Sequence, residues 1–175
     1  MRALADRDRI QTFMRALGRA AKSPARVYLT GGATAVLSGW RESTIDVDIK
    51  LVPDEDAVLR AIADLKDALQ INVELAAPGD FIPVREGWED RSPFVGREGP
   101  LSFHHFDFVA QALAKIERGH RQDLEDARRM VEEGLVDPDR LRQLFAEIEP
   151  GLHRFPAIDP ATFRRAVETF CRGEK

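Results

Sequence analysis

The stretch Val27–Leu51, VYLTGGATAVLSGWRESTIDVDIKL, constrains this chain more than any other. An apolar run ends at the pair Gly31-Gly32, the small and apolar residues Ala33–Ser38 suit a short helix, and Thr44–Val52 then alternates apolar with polar. A glycine pair in that place lets backbone N–H groups approach an anion closely. In a strand, successive side chains take opposite faces, so Asp46 and Asp48 share one face while Ile45, Val47 and Ile49 point to a core. Two carboxylates side by side repel unless a cation sits between them, and such oxygen donors suit Mg²⁺ or Mn²⁺. Together the two features point to a site for a metal-bound nucleoside triphosphate.

The remaining periodicities place that stretch in an α+β chain. Ile10, Phe13, Met14, Leu17 and Ala21 have helical spacing over residues 5–22, stopped by Ser23-Pro24. Arg26–Thr30 is the strand before the glycines. Beyond Pro53, Asp54 is the expected N-cap of a helix whose stripe is Val58, Ile62, Leu65 and Leu69. Ile71–Leu75 alternates, with Ile71, Val73 and Leu75 on one face and Asn72 and Glu74 on the other. If this strand lies beside Thr44–Val52, Glu74 supplies a third carboxylate; Asp80 competes for that role. Residues 76–103 are punctuated by Gly and Pro and read as irregular, with a strand at Leu101–His105. Helices follow: Asp107 caps 108–118, closed by Gly119, and 121–133 ends at Gly134. Asp137-Pro138 and Asp159-Pro160 open two more, at 139–148 and 160–172. The fold expected is α+β, a small mixed sheet flanked by helices with a helical C-terminal part, divided as 1–106 and 107–175.

Charge and cysteine content narrow the setting. A net charge of −4 over 175 residues speaks against broad nucleic-acid binding, yet residues 1–26 carry seven Arg or Lys against two Asp. A basic arm beside an acidic site suits a polyanionic substrate such as RNA. The single cysteine, Cys171, forms no internal disulfide and fits a reducing compartment. With no apolar leader and no run long enough to cross a bilayer, a cytoplasmic protein with no membrane partner is expected. His104, His105, His120 and His153 lack metal-site spacing. Trp40 and Trp88 suit packing better than base stacking.

Gly31-Gly32, thirteen residues, then Asp46-Val-Asp48-Ile resembles the signature of nucleotidyltransferases of the DNA polymerase β-like fold. Within that superfamily Arg41, Thr44 and the Asp46-Val-Asp48 run resemble small bacterial proteins related to abortive-infection and toxin–antitoxin nucleotidyltransferase toxins. The segment with Lys115, Arg118, Asp123 and Asp126 resembles the Lys…Arg…Asp-x-x-Asp stretch of their helical part. The resemblance implies transfer of an NMP from an NTP, with Asp46, Asp48 and Glu74 as metal ligands and catalytic acids. It implies triphosphate binding at Gly31 and Gly32, with Arg41 and Thr44 beside it. Lys115 would face the phosphates, one of Asp123 and Asp126 would orient it, and Arg118 shares its helix face. The expected acceptor is RNA, tRNA above all, or a protein hydroxyl, with a cognate antitoxin as a further partner. Transfer to a small cationic acceptor of the aminoglycoside type, and a non-catalytic binding role, are the alternatives.

Overall fold

In a computed structural model that describes residues 2–173, the chain divides into two units. The first comprises the residues up to Ala77 together with Ser92–Phe106, and the second Pro78–Arg91 together with the residues from Asp107 onwards.

The first unit holds strands β1 (Ala5–Asp6), β2 (Ala25–Thr30), β3 (Ser43–Thr44), β4 (Asp46–Val52), β5 (Asn72–Leu75), β6 (Phe94–Glu98) and β7 (Leu101–His105), with helices α1 (Arg7–Ala20), α2 (Gly31–Ser38) and α3 (Asp56–Ala68). Five strands form one mixed sheet in the order β5-β4-β2-β7-β6. In it β2 runs antiparallel to β4 and parallel to β7, β4 is parallel to β5, and β6 is antiparallel to β7. Alternation gives this sheet two faces of different character. Val27, Leu29, Val47, Ile49, Val73 and Phe103 are buried in one core with Ile10, Phe13 and Leu17 of α1 and with Val58 and Ile62 of α3. The register puts Tyr28, Asp46, Asp48, Lys50, Asn72 and Glu74 on the opposite face.

Four local expectations are corrected. Ala5–Asp6 is a strand paired with Ser43–Thr44, and α1 starts after it, with Asp6 accepting from the Arg9 N–H at 2.9 Å as N-cap. Ile45 is 69% exposed, because it joins β3, in the two-stranded sheet, to β4, in the five-stranded one. Leu75, the last residue of β5, is likewise exposed. Asp54 caps nothing: α3 begins at Asp56 with Glu55 as its N-cap and no side-chain bond there.

The second unit holds α4 (Phe108–Arg118), α5 (Arg121–Glu132), α6 (Pro138–Ile148) and α7 (Pro160–Cys171), with 3-10 turns at Pro78–Asp80 and Glu149–Arg154. Its starts are where capping chemistry dictates. Asp107 accepts from Val109 N–H at 3.1 Å, Asp137 from Asp139 N–H at 2.8 Å and Asp159 from Thr162 N–H at 3.0 Å. Arg91 anchors the 78–91 segment to the start of α4, donating to Asp107 at 2.9 Å and to the carbonyls of Glu86 and Arg85. No described helix is long and apolar enough to cross a membrane.

Candidate active site

The glycine pair stands at the junction of β2 and α2. Gly31 has φ +59°, a region that favours glycine, and a Cβ there would lie 2.8 Å from Oδ2 of Asp48. At Gly32 a Cβ would overlap the Thr44 side chain and come within 3.1 Å of an Arg41 guanidinium nitrogen. Gly31, Gly32, Arg41, Thr44 and Asp48 therefore meet at one place, the start of α2, where backbone N–H groups and the positive end of the helix dipole favour an anion. The Thr44 hydroxyl donates to the Asp46 carbonyl at 3.0 Å and braces the entry into β4.

The acids line up across two strands. Asp48 is paired in register with Thr30 of β2 on one side and with Glu74 of β5 on the other, and Asp46 is opposite Asn72. Glu74 thus stands beside Asp48 on the same face, whereas Asp80 lies in a 3-10 turn of the second unit. The Asn72 amide sits between two of these carboxylates: Nδ2 donates to Asp46 Oδ1 at 2.5 Å and approaches Glu74 Oε1 at 3.4 Å. Its orientation is set by Arg2, which donates to Asn72 Oδ1 at 3.0 Å while a second guanidinium nitrogen pairs with Asp67 at 3.0 Å. Sequence reasoning placed Asn72 on the acid face and gave it no role; its position opposite Asp46 emerges only from the β4–β5 register.

Among the described residues, no three His, Cys, Asp or Glu side chains are grouped so as to hold a metal ion. Mg²⁺ asks for less than that, since it is commonly held by one or two carboxylates together with substrate phosphates and water. An all-oxygen pair, Asp46 and Asp48, beside a glycine cradle that a Cβ would fill, fits that demand.

In the second unit Lys115, Arg118, Asp123 and Asp126 form one ion-pair network across α4 and α5. Lys115 Nζ is 2.8 Å from Asp126 and 3.7 Å from Asp123, and Arg118 clamps Asp123 with two nitrogens. Lys115, Asp123 and Asp126 are buried, while the Arg118 side chain is 57% exposed. Burial alone would raise the Asp123 pKa, but the hydrogen bond and charge of Arg118, with Lys115 and His120, outweigh it and hold the carboxyl below its usual range. Asp126 is thus the residue that fixes the Lys115 ammonium. The meeting of two i,i+3 pairs from different helices could not be read from either alone.

His105 ends β7 against α2. The Thr34 hydroxyl donates to the Leu29 carbonyl at 3.1 Å, so the His105 Nδ1, 3.0 Å away, is the N–H donor to Thr34. Burial lowers its pKa to about 4, leaving a neutral ring at neutral pH. The His104 pKa is also lowered, mainly by burial, and its ring stacks at 5.5 Å on Tyr28.

A family model described as Nucleotidyltransferase of unknown function (DUF6036) matches residues 8–167. No curated protein and no solved structure matches the chain.

Proposed function

The chain belongs to this family of nucleotidyltransferases, and from that premise we propose that it transfers an NMP from an NTP to an RNA acceptor, tRNA foremost, with Mg²⁺ or Mn²⁺ as cofactor. The observation that carries the reading is the contact of Asp48 with Gly31, which joins the acid face to the phosphate-binding turn. Backbone N–H groups at Gly31-Gly32 receive the triphosphate, and Arg41 adds charge to its outer side. Asp46 and Asp48 would hold the cation, which when bound would supply charge neutralisation for the departing pyrophosphate. Glu74 accepts the proton of the acceptor hydroxyl as that oxygen attacks the α-phosphorus and the bond to the pyrophosphate oxygen breaks. Positioning and charge supply most of the acceleration in such transfers. The resemblance at Arg41, Thr44 and Asp46-Val-Asp48 supports a toxin-like or phage-defence role in the cytoplasm, with an antitoxin as silencing partner.

Incubation with radiolabelled NTPs and total cellular RNA tests the reading. Label enters RNA with the wild-type protein, and neither Asp46→Asn nor Asp48→Asn transfers it, although both keep the native circular dichroism spectrum. Wild-type transfer by either variant refutes the mechanism.

A further inference from the structure

The glycine turn is tied from behind, by groups at the end of β7. Thr30, the N-cap of α2, makes no side-chain bond to the first turn of that helix, and the two residues after it are glycines. Glycine loses more conformational freedom on ordering than any other residue, so a turn built this way needs an outside tie to keep one shape. Thr34, in the first turn of α2, supplies it. A helical Thr that bonds its own backbone ordinarily reaches the carbonyl three or four residues back. The Thr34 hydroxyl instead donates to the Leu29 carbonyl at 3.1 Å, five residues back and inside β2. That bond closes a loop over residues 30–33, and so over both glycines. Both ends of the loop are fixed from β7. Leu29 is paired in register with His105, and its carbonyl also takes the Phe106 N–H at 2.8 Å. The Thr34 oxygen takes the His105 Nδ1–H at 3.0 Å.

Thr34 and Leu29 are fully buried, so water does not compete for these bonds. The His105 ring is neutral at neutral pH and donates through Nδ1 without adding charge behind the turn. Neutral donors suit that place, because a carboxylate there would repel the phosphates. On the other side Gly32 rests against Thr44 and Arg41, whose atoms fill the space a Cβ would take. The turn is thus held between β3 and β7. We propose that Thr34 and His105 are positioning residues for triphosphate binding: their relay to the Leu29 carbonyl keeps residues 30–33 in the conformation whose N–H groups receive the phosphates. This role deepens the nucleotidyl-transfer reading, on which it rests for the identity of the ligand. A turn that holds the triphosphate alike in the ground and transition states governs KM for the NTP and leaves kcat little changed.

Thr34→Val keeps the shape of the side chain and removes the hydroxyl, while the Leu29 carbonyl keeps the Phe106 N–H. It is expected to raise KM for the labelled NTP about fivefold to thirtyfold, the ordering cost of one released residue, with kcat little changed. Thr34→Ser restores the hydroxyl and should return KM to the wild-type value. His105→Gln, which carries its N–H one carbon farther out, should behave like Thr34→Val. His105→Asn, whose amide nitrogen falls near the place of Nδ1, should behave like wild type. This second pair reads the relay independently where Thr34→Val fails to fold, and circular dichroism verifies each variant. Calorimetric titration of the full chain with inorganic tripolyphosphate and Mg²⁺ should show Kd moving by the same factor as KM, and it needs no acceptor. Wild-type KM and Kd in both Thr34→Val and His105→Gln overturn the proposal, as does a fall in kcat with KM unchanged, or a Thr34→Ser variant that stays impaired. If the wild type binds tripolyphosphate and transfers label while the variants match it, the relay falls and the transfer reading stands. A wild type that binds no tripolyphosphate overturns both.

Discussion

Replacing Asn72 by alanine removes the amide that stands between Asp46 and Glu74. In the wild type Asn72 gives Asp46 a bond of 2.5 Å, held in orientation by Arg2 at 3.0 Å. A hydrogen bond to a charged group contributes about 1.5–3 kcal/mol, and partial exposure of Asp46 brings the expected loss of stability to the low end, on the order of 1 kcal/mol. For a chain of this length that lowers Tm by about 2–4 °C. The effect on transfer is larger, because an acid held by an outer-shell partner loses its aim when the partner goes: about 10–100-fold in kcat, with a smaller change in KM for the NTP. Asn72→Asp gives the opposite electrostatic test. It places a carboxylate against Asp46, a repulsion of about 1–4 kcal/mol for charges roughly 4 Å apart. Its Tm should fall in EDTA and recover in Mg²⁺ by more than the wild type gains, whereas Asn72→Ala should show no such extra gain. Thermal unfolding with and without Mg²⁺ and a labelled-NTP transfer assay read both outcomes. If Asn72→Ala transfers at the wild-type rate and Asn72→Asp gains nothing from Mg²⁺, the amide is an ordinary strand residue and the positioning argument fails.

Lys115→Met should destabilise by about 3–5 kcal/mol in urea titration, because it leaves Asp126 buried without its cation, and adding Asp126→Leu should restore much of that loss. A fully stable single variant would show that this pair does not hold α4 and α5 together. His105 sets a pH dependence whose sign follows from its depressed pKa. The unfolded chain binds that proton near pH 6.5 and the folded chain only near 4, so stability falls as pH drops through this window, by on the order of 3 kcal/mol in total. His105→Asn should remove most of that slope between pH 6.5 and 4, the remainder coming from His104, which both proteins keep. Asp123, also depressed, loses its contribution only as pH falls further, below the usual carboxylate range. Parallel loss in wild type and variant would assign the slope elsewhere.

What was legible in the sequence was local. Asp107, Asp137 and Asp159 cap their helices within a turn of themselves, and Gly119 and Gly134 close helices with φ of 71° and 73°, so a few neighbouring residues sufficed. The pairing of Glu74 with Asp48 was accessible because alternation puts both on the polar face once the strands are taken as neighbours. Strand ends were misread for a different reason. Ile45 and Leu75 continue the apolar alternation to positions the core does not cover: Ile45 lies in the step between two sheets, and Leu75, although paired with Ile49, ends the edge strand β5. Pro53-Asp54 has the composition of a helix start, but the helix begins at Asp56. The contacts of Asn72 with Asp46 and of Arg2 with Asn72 bridge distant segments, and no local signal encodes them; an acid beside Lys115 was implied by the family resemblance, and the packing of α4 on α5 makes Asp126 the nearer of the two.

The strand order also governs how the chain is made. β2 is the middle strand, with β4 on one flank and β7 on the other, yet β4 follows it closely while β7 is not complete until His105. On the ribosome, one side of Val27–Leu29 therefore waits with open backbone groups while α3, β5 and the first excursion into the second unit emerge. A fragment cut at Ala77 would keep β2, β4 and β5 and leave that flank permanently bare, a template for pairing with a neighbouring copy. Nascent-chain handling, and the choice of where to truncate, thus turn on a strand made late in the chain and far from every proposed catalytic acid in sequence.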